Sequence, residues 1–134
     1  MSGTSVINEV VEAVIGLMNA TSPFATVTRG ALPTGIGITC EVGPTSVEEV
    51  YLDKNSYTPL DIALNGKHYD LKTLSDTLNS IHSTLTRATT YPTGGRWEIV
   101  DISNYTLPQV IGREGNNEWL MASALSVKFY QKGD

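Results

Sequence analysis

From Glu118 to Tyr130 the chain alternates without a break. Trp119, Met121, Ser123, Leu125, Val127 and Phe129 fall on one side of an extended backbone, and Leu120, Ala122, Ala124, Ser126, Lys128 and Tyr130 on the other. A period of two marks a strand, because successive side chains of a pleated backbone point to opposite faces. The first set is apolar and is expected to meet helices. The second is small and mixed, and suits either solvent or an oligomer contact. A strand of this length needs a sheet around it and a layer to cover one face.

Two helices are available as that layer. Val6, Val10, Val14, Leu17 and Met18 recur at helical spacing, widened by Ile7, Val11 and Ile15, so a helix capped by Thr4 or Ser5 is expected to run to about Ala20. Asn19, Ser22 and Pro23 end it. Leu71, Leu74, Leu78, Ile81 and Leu85 step by three and four, with Lys72, Ser75, Asp76, Asn79 and Ser83 opposite. Asp70 is placed to cap this second helix, which is expected to reach about Arg87.

The remaining strands are read from alternation between turn signals. Phe24 to Arg29 and Ile36 to Val42 are expected strands, separated by Gly30 to Gly35 with Pro33 and closed by Gly43 and Pro44. Glu48 to Asp53 fits a short strand or one helical turn, and Lys54 to Tyr57 a loop. Leu60, Ile62 and Leu64 share a face of Thr58 to Leu64. Asn65-Gly66 then reads as a tight turn into a short return strand or extended lead-in, Lys67 to Tyr69. Tyr91 to Gly95 is a flexible connection into a strand from Arg96 to Ile102. Pro108 puts the extended segment Gln109 to Arg113 at a sheet edge, because proline cannot donate to a ladder. Gly115, Asn116 and Asn117 make a hairpin turn. The expected class is α+β: an antiparallel or mixed sheet packed against two main amphipathic helices, in one domain spanning 1–134.

Charge narrows the function. Only 17% of residues are charged, so Ser, Thr, Asn and Gly must supply much of the surface polarity, and such a surface is cheap to desolvate in a protein contact. The net charge of −5, with the nine Lys and Arg scattered, gives no basic stripe to grip nucleic acid. An acidic wall would still let a duplex slide past. No apolar run reaches the roughly 18 residues of a membrane span, and Met1 to Ser5 lacks the basic start of a signal peptide, so a cytosolic origin is expected.

No constellation of residues in the sequence announces chemistry. Cys40 stands alone in an apolar run and reads as a small buried hydrophobe. His68 and His82 have no partner at metal-ligand spacing, and Asp53, Asp61, Asp70 and Asp76 form no recognisable pair. The Thr34-Gly35-Ile36-Gly37 and Thr93-Gly94-Gly95 stretches are turns, since neither opens a helix that could receive a phosphate. No Gly-x-Ser-x-Gly elbow is present, and no nucleophile has a base within foreseeable reach. The chain is expected to be no enzyme and to carry no cofactor or metal.

With these elements in order, the chain resembles the tail terminator (tail completion) proteins of long-tailed bacteriophages, often labelled minor capsid proteins. The resemblance rests on Leu60 to Tyr69, Leu71 to Leu85, Trp97 to Ile111 with Pro108-Gln109-Val110-Ile111-Gly112, and Trp119 to Tyr130. It covers nearly the whole chain, as element order and composition rather than a catalytic signature. The resemblance implies a small α+β subunit of a hexameric ring. That ring caps the tail tube, offers the head-joining surface and lets DNA pass through its centre. It implies as partners further copies of the chain, the tail tube protein and head–tail connector or sheath proteins. It implies a place in the tail or neck of a virion assembled in the bacterial host cytoplasm. Tail-like bacteriocins and contractile particles share the fold. Within that picture Ala122, Ala124, Ser126 and Lys128 are candidate subunit contacts, and Thr93, Gly94 and Gly95 a candidate contact loop for tube or connector. The competing readings are another connector or tube component and, from a different class, a small ligand-binding or regulatory module.

Overall fold

The computed structural model describes residues 3–32, 35–42, 56–114 and 117–131. Among them seven elements follow in order: α1 (Gly3–Asn19), β1 (Val27–Arg29), β2 (Gly37–Val42), β3 (Ser56–His68), α2 (Leu71–Thr86), β4 (Trp97–Glu114) and β5 (Glu118–Gln131). The strands form one sheet in the order β1-β2-β3-β5-β4. β1 runs parallel to β2 and every other neighbouring pair is antiparallel, so the sheet is mixed. The α+β class expected from the sequence is the class observed.

The alternation in β5 sets the layers. Leu125, Val127 and Phe129 are fully buried, and so are their neighbours Leu60, Ile62 and Leu64 on β3. Leu74, Leu78 and Ile81 of α2 and Val10, Val14 and Met18 of α1 are also fully buried and join the same cluster. Both helices therefore lie on one face of the sheet. Burying each such side chain stabilises the fold by roughly 1.5–3 kcal/mol.

The second helix starts where its cap dictates. Asp70 holds an extended φ/ψ of −104° and 112°, accepts from the Lys72 backbone N–H at 3.2 Å, and accepts from the Thr73 hydroxyl at 2.7 Å. The first helix begins at Gly3, so Thr4 and Ser5 sit inside its first turn rather than capping it. At its other end the Thr21 hydroxyl donates to the Met18 carbonyl at 2.7 Å, and Ser22 turns the chain at φ 60°.

Three local expectations are corrected. Asn65-Gly66 is not a turn: both residues lie inside β3, paired with Thr39 and Ile38 of β2 and with Ala122 and Met121 of β5. Glycine is needed there for close approach, because a Cβ on Gly66 would stand 2.7 Å from Leu74 Cδ1. Lys67 and His68 accordingly continue β3 as an extended lead-in to α2, the second of the two expectations, and not as a return strand. The segments around Pro108 are one strand, β4, which bends through four register shifts between Ile99 and Gly112. Its place at the sheet edge agrees with the expectation from Pro108. β1 is shorter than Phe24 to Arg29 because the Asn19 side chain occupies both backbone groups of Val27, accepting at 2.8 Å and donating at 3.3 Å.

The expectations for Glu48 to Asp53, for Lys54 and Asn55, and for the turn residues Pro33, Thr34, Gly43, Pro44, Gly115 and Asn116 lie outside the described residues.

Candidate functional site

Ala122, Ala124, Ser126 and Lys128 lie on the sheet face that the helices leave open. Across β3 they oppose Asn65, Ala63, Asp61 and Pro59, and across β4 Gln109, Thr106, Ser103 and Asp101. The two alanines and the serine are half-buried and Lys128 is exposed. Ala122, Ala124 and Ser126 with Ala63 and Ser103 beside them keep the middle of this face low, so a flat partner could come close to the backbone there. One end of the same face is closed rather than open. There Lys67 and Glu118 form an ion pair at 3.7 Å with side chains 7% and 5% exposed, and Thr39 is buried on the strand beside it.

The neighbouring edge strand carries a feature the sequence reading missed. Tyr105, Leu107, Val110 and Ile111 of β4 are 68, 60, 46 and 59% exposed. From Ile102 to Gly112 there is no charged residue. That neutral run flanking Pro108 was the available signal. Edge strands of soluble proteins are usually guarded by charge, proline or bulges. Here the guard is Pro108 and the register shifts, while the side chains stay apolar.

The connection at Thr93 to Gly95 is a built turn rather than a flexible link. Thr93 bridges to Glu98, and the Gly94 N–H donates to the Trp97 carbonyl at 2.8 Å. Gly94 sits against the Trp97 ring, where a Cβ would overlap the indole. The indole N–H donates to Glu9 Oε1 at 2.7 Å, and the Tyr91 hydroxyl donates to the Leu85 carbonyl at 2.8 Å. Thr93 and Gly95 remain exposed on a turn fastened to both helices.

One constellation in the core resembles a catalytic arrangement and corrects the expectation that no nucleophile meets a base. His82 Nε2 lies 2.8 Å from Ser123 Oγ, and His82 Nδ1 lies 2.8 Å from Asn104 Oδ1. The order serine, histidine, amide is that of a nucleophile, its base and an orienting group. Access argues against chemistry. Ser123 is 4% exposed and His82 2% exposed under α2, and the serine hydroxyl also lies 3.0 Å from the Leu64 carbonyl. Burial pushes the His82 pKa down, opposed by its contact with Asn104. The network joins α2 to β3, β4 and β5. Sequence could not pair His82 with Ser123, which is 41 positions away.

Cys40 is fully buried, as expected, and burial raises its thiol to about 11, so it is inert near neutrality. Among the described residues no three His, Cys, Asp or Glu side chains gather to hold a metal ion, and no helix is long and apolar enough to cross a membrane. A depression between the end of α1 and α2 is lined by Thr21, Ser22, Pro23, Asp76, Thr77 and Ser80, and its carboxylate is already paired with Lys72 at 2.7 Å.

No family model matches the chain, and no curated protein matches it. Among solved structures it is similar to a chain from the virion of a native gene transfer agent particle. The two superpose with a TM-score of 0.63 at 12% identity, over 89% of this chain and 92% of that one. At that identity the likeness speaks to the fold.

Proposed function

We propose that this chain is a structural virion protein, a ring-forming tail terminator that caps the tail tube and supplies the head-joining surface. The observation that carries the reading is the fold held in common, nearly end to end, with a chain of a gene transfer agent virion. Two surfaces give it a means. A closed ring needs a heterologous contact, with two different patches on each subunit. The open face around Ala122, Ala124, Ser126 and Lys128 offers one, and the apolar edge at Tyr105, Leu107 and Ile111 offers another. The fastened turn at Thr93 to Gly95 is the contact for tube or connector, and the net charge of −5 suits a lumen that DNA crosses without sticking.

The test is to mix the purified chain with tail tubes and measure mass and image the tube ends. Six copies on each tube end are expected. Leu107→Lys and Ala124→Arg should abolish the ring while the far-ultraviolet spectrum stays unchanged, and Thr93→Glu should leave rings that no longer seat on tubes. A chain that remains monomeric in the presence of tubes sinks the reading. Rings that dock only to the head connector favour a connector component instead.

A further inference from the structure

The buried network at His82 poses a problem of hydrogen supply. Three contacts must be filled: His82 Nδ1 to Asn104 at 2.8 Å, His82 Nε2 to Ser123 Oγ at 2.8 Å, and Ser123 Oγ to the Leu64 carbonyl at 3.0 Å. Each needs one hydrogen. The serine hydroxyl brings one, a neutral imidazole one, and an imidazolium two. With Asn104 presenting its carbonyl oxygen, a neutral His82 leaves the network one hydrogen short, and a charged His82 fills it. With the Asn104 amide turned over, its NH2 donates to Nδ1, Nε2–H donates to Ser123, and Ser123 donates to Leu64. That arrangement is complete with His82 neutral. The network therefore has two saturated states, which differ by one proton and half a turn of one amide.

We propose that His82, Asn104 and Ser123 form a proton-operated latch between α2 and the edge strand β4, in which taking up one proton turns the Asn104 amide from donor to acceptor.

The surroundings leave this choice to the proton. Among the described residues no acid on the helix-facing side of the sheet competes for the ring. The ionisable groups there are Cys40 of β2, opposite Leu64, with Arg29 of β1 beside it and Glu12 of α1 near it, and His68 of β3 and Arg113 of β4, which stand at the Trp119 end, Arg113 lying 4.3 Å over the Trp119 ring. Asp101, Asp61 and Lys128 belong to the opposite face. From α1, Glu9 is held by Trp97 at 2.7 Å. On α2 itself, Lys72 and Asp76 pair with each other at the exposed start of the helix, and Arg87 follows its exposed end. Burial opposes the charge on His82, so the neutral state is favoured and the proton enters only below the ordinary histidine range. Asn104 is the exposed member of the network, so the proton has a route to Nδ1. It also precedes a register shift of β4 and adjoins Tyr105, 68% exposed, so the amide that turns sits beside the apolar edge.

Nitrogen-15 NMR of the histidine rings and side-chain amides of the whole chain tests this without reference to any assembly role. At about pH 7.5, His82 should carry its proton on Nε2. On acidification the His82 ring and the Asn104 amide should move together, with one midpoint below 6.5. Asn104→Asp offers only acceptor oxygens and should raise that midpoint by about one unit or more. The wild-type spectra decide even if the variant folds poorly. A proton on Nδ1 at the starting pH overturns the latch. So does an Asn104 amide that ignores the titration, or a His82 that takes no proton before the protein unfolds.

Discussion

The indole nitrogen of Trp97 donates to the carboxylate of Glu9 at 2.7 Å, tying the first helix to the start of the edge strand across 88 positions of sequence. Trp97 itself is 5% exposed, so its N–H has lost water and depends on this acceptor. Glu9→Ala should destabilise the protein by about 1.5–3 kcal/mol, the range for a hydrogen bond to a charged group. Glu9→Gln should cost less, because an amide oxygen still accepts. Urea unfolding followed by tryptophan fluorescence measures both. Equal midpoints for wild type and Glu9→Ala would show that the contact contributes nothing.

Gly66 is fixed by what packs on it. A methyl there would stand 2.7 Å from Leu74 Cδ1 and 3.4 and 3.5 Å from the Leu78 methyls, both leucines being fully buried. Gly66→Ala should cost about 1–3 kcal/mol through overpacking, which exceeds the roughly 0.4–1 kcal/mol gained by stiffening the unfolded chain. Combined with Leu74→Ala, the loss should be smaller than the sum of the single losses. Thermal melts of the two single variants and the double variant read this directly, and strict additivity would refute it.

His82 makes stability depend on pH with a definite sign. Its folded pKa lies below the unfolded value of 6.5. As pH falls below 6.5 the unfolded chain takes a proton before the folded one does, so unfolding is favoured. This part of the stability is whole above 6.5, declines below it, and levels off once the folded state is also protonated. The slope is at most about 1.4 kcal/mol per pH unit for one group. His82→Gln should flatten the stability profile below about pH 6.5. A profile with the same slope in both proteins would assign the acid sensitivity elsewhere.

The ion pair between Lys67 and Glu118 should be worth more to break than to replace. Both side chains are buried, at 7% and 5% exposure, and 3.7 Å apart. Glu118→Ala leaves the lysine charge buried and should cost about 3 kcal/mol. Lys67→Met with Glu118→Leu removes both charges and should cost less than Glu118→Ala alone. A double-mutant cycle in denaturant gives the comparison, and a double variant worse than the single one would count against it.

Much of this architecture was legible in local pattern. The two faces of Glu118 to Tyr130, the heptad-like steps from Leu71 to Leu85 and the cap at Asp70 each follow from spacing or one side chain, and all are seen. Asn65-Gly66 misled because glycine has two uses, and the close packing of Leu74 on the strand is invisible without the helix above it. The single strand Trp97–Glu114 looks like two segments in sequence because Pro108 interrupts the alternation, whereas on an edge its missing N–H costs no ladder bond. The open face at Ala122 and Ala124 came from alternation alone. The exposed edge and the contact of His82 with Ser123 need the strand order, which no local signal carries.

That strand order also governs when folding can happen. β5 is the last of the described elements in the chain, yet it lies between β3 and β4. While a ribosome is still making the chain, β3 lacks one neighbour and β4 has none, so the sheet cannot close until residues 118–131 emerge. The part of each helix's apolar face that β5 covers waits with it, open to chaperones and proteases until that strand arrives. A chain stalled before Glu118 holds at most the β1-β2-β3 part of the sheet, with β4 unpaired, and release of the finished strand completes both remaining ladders together.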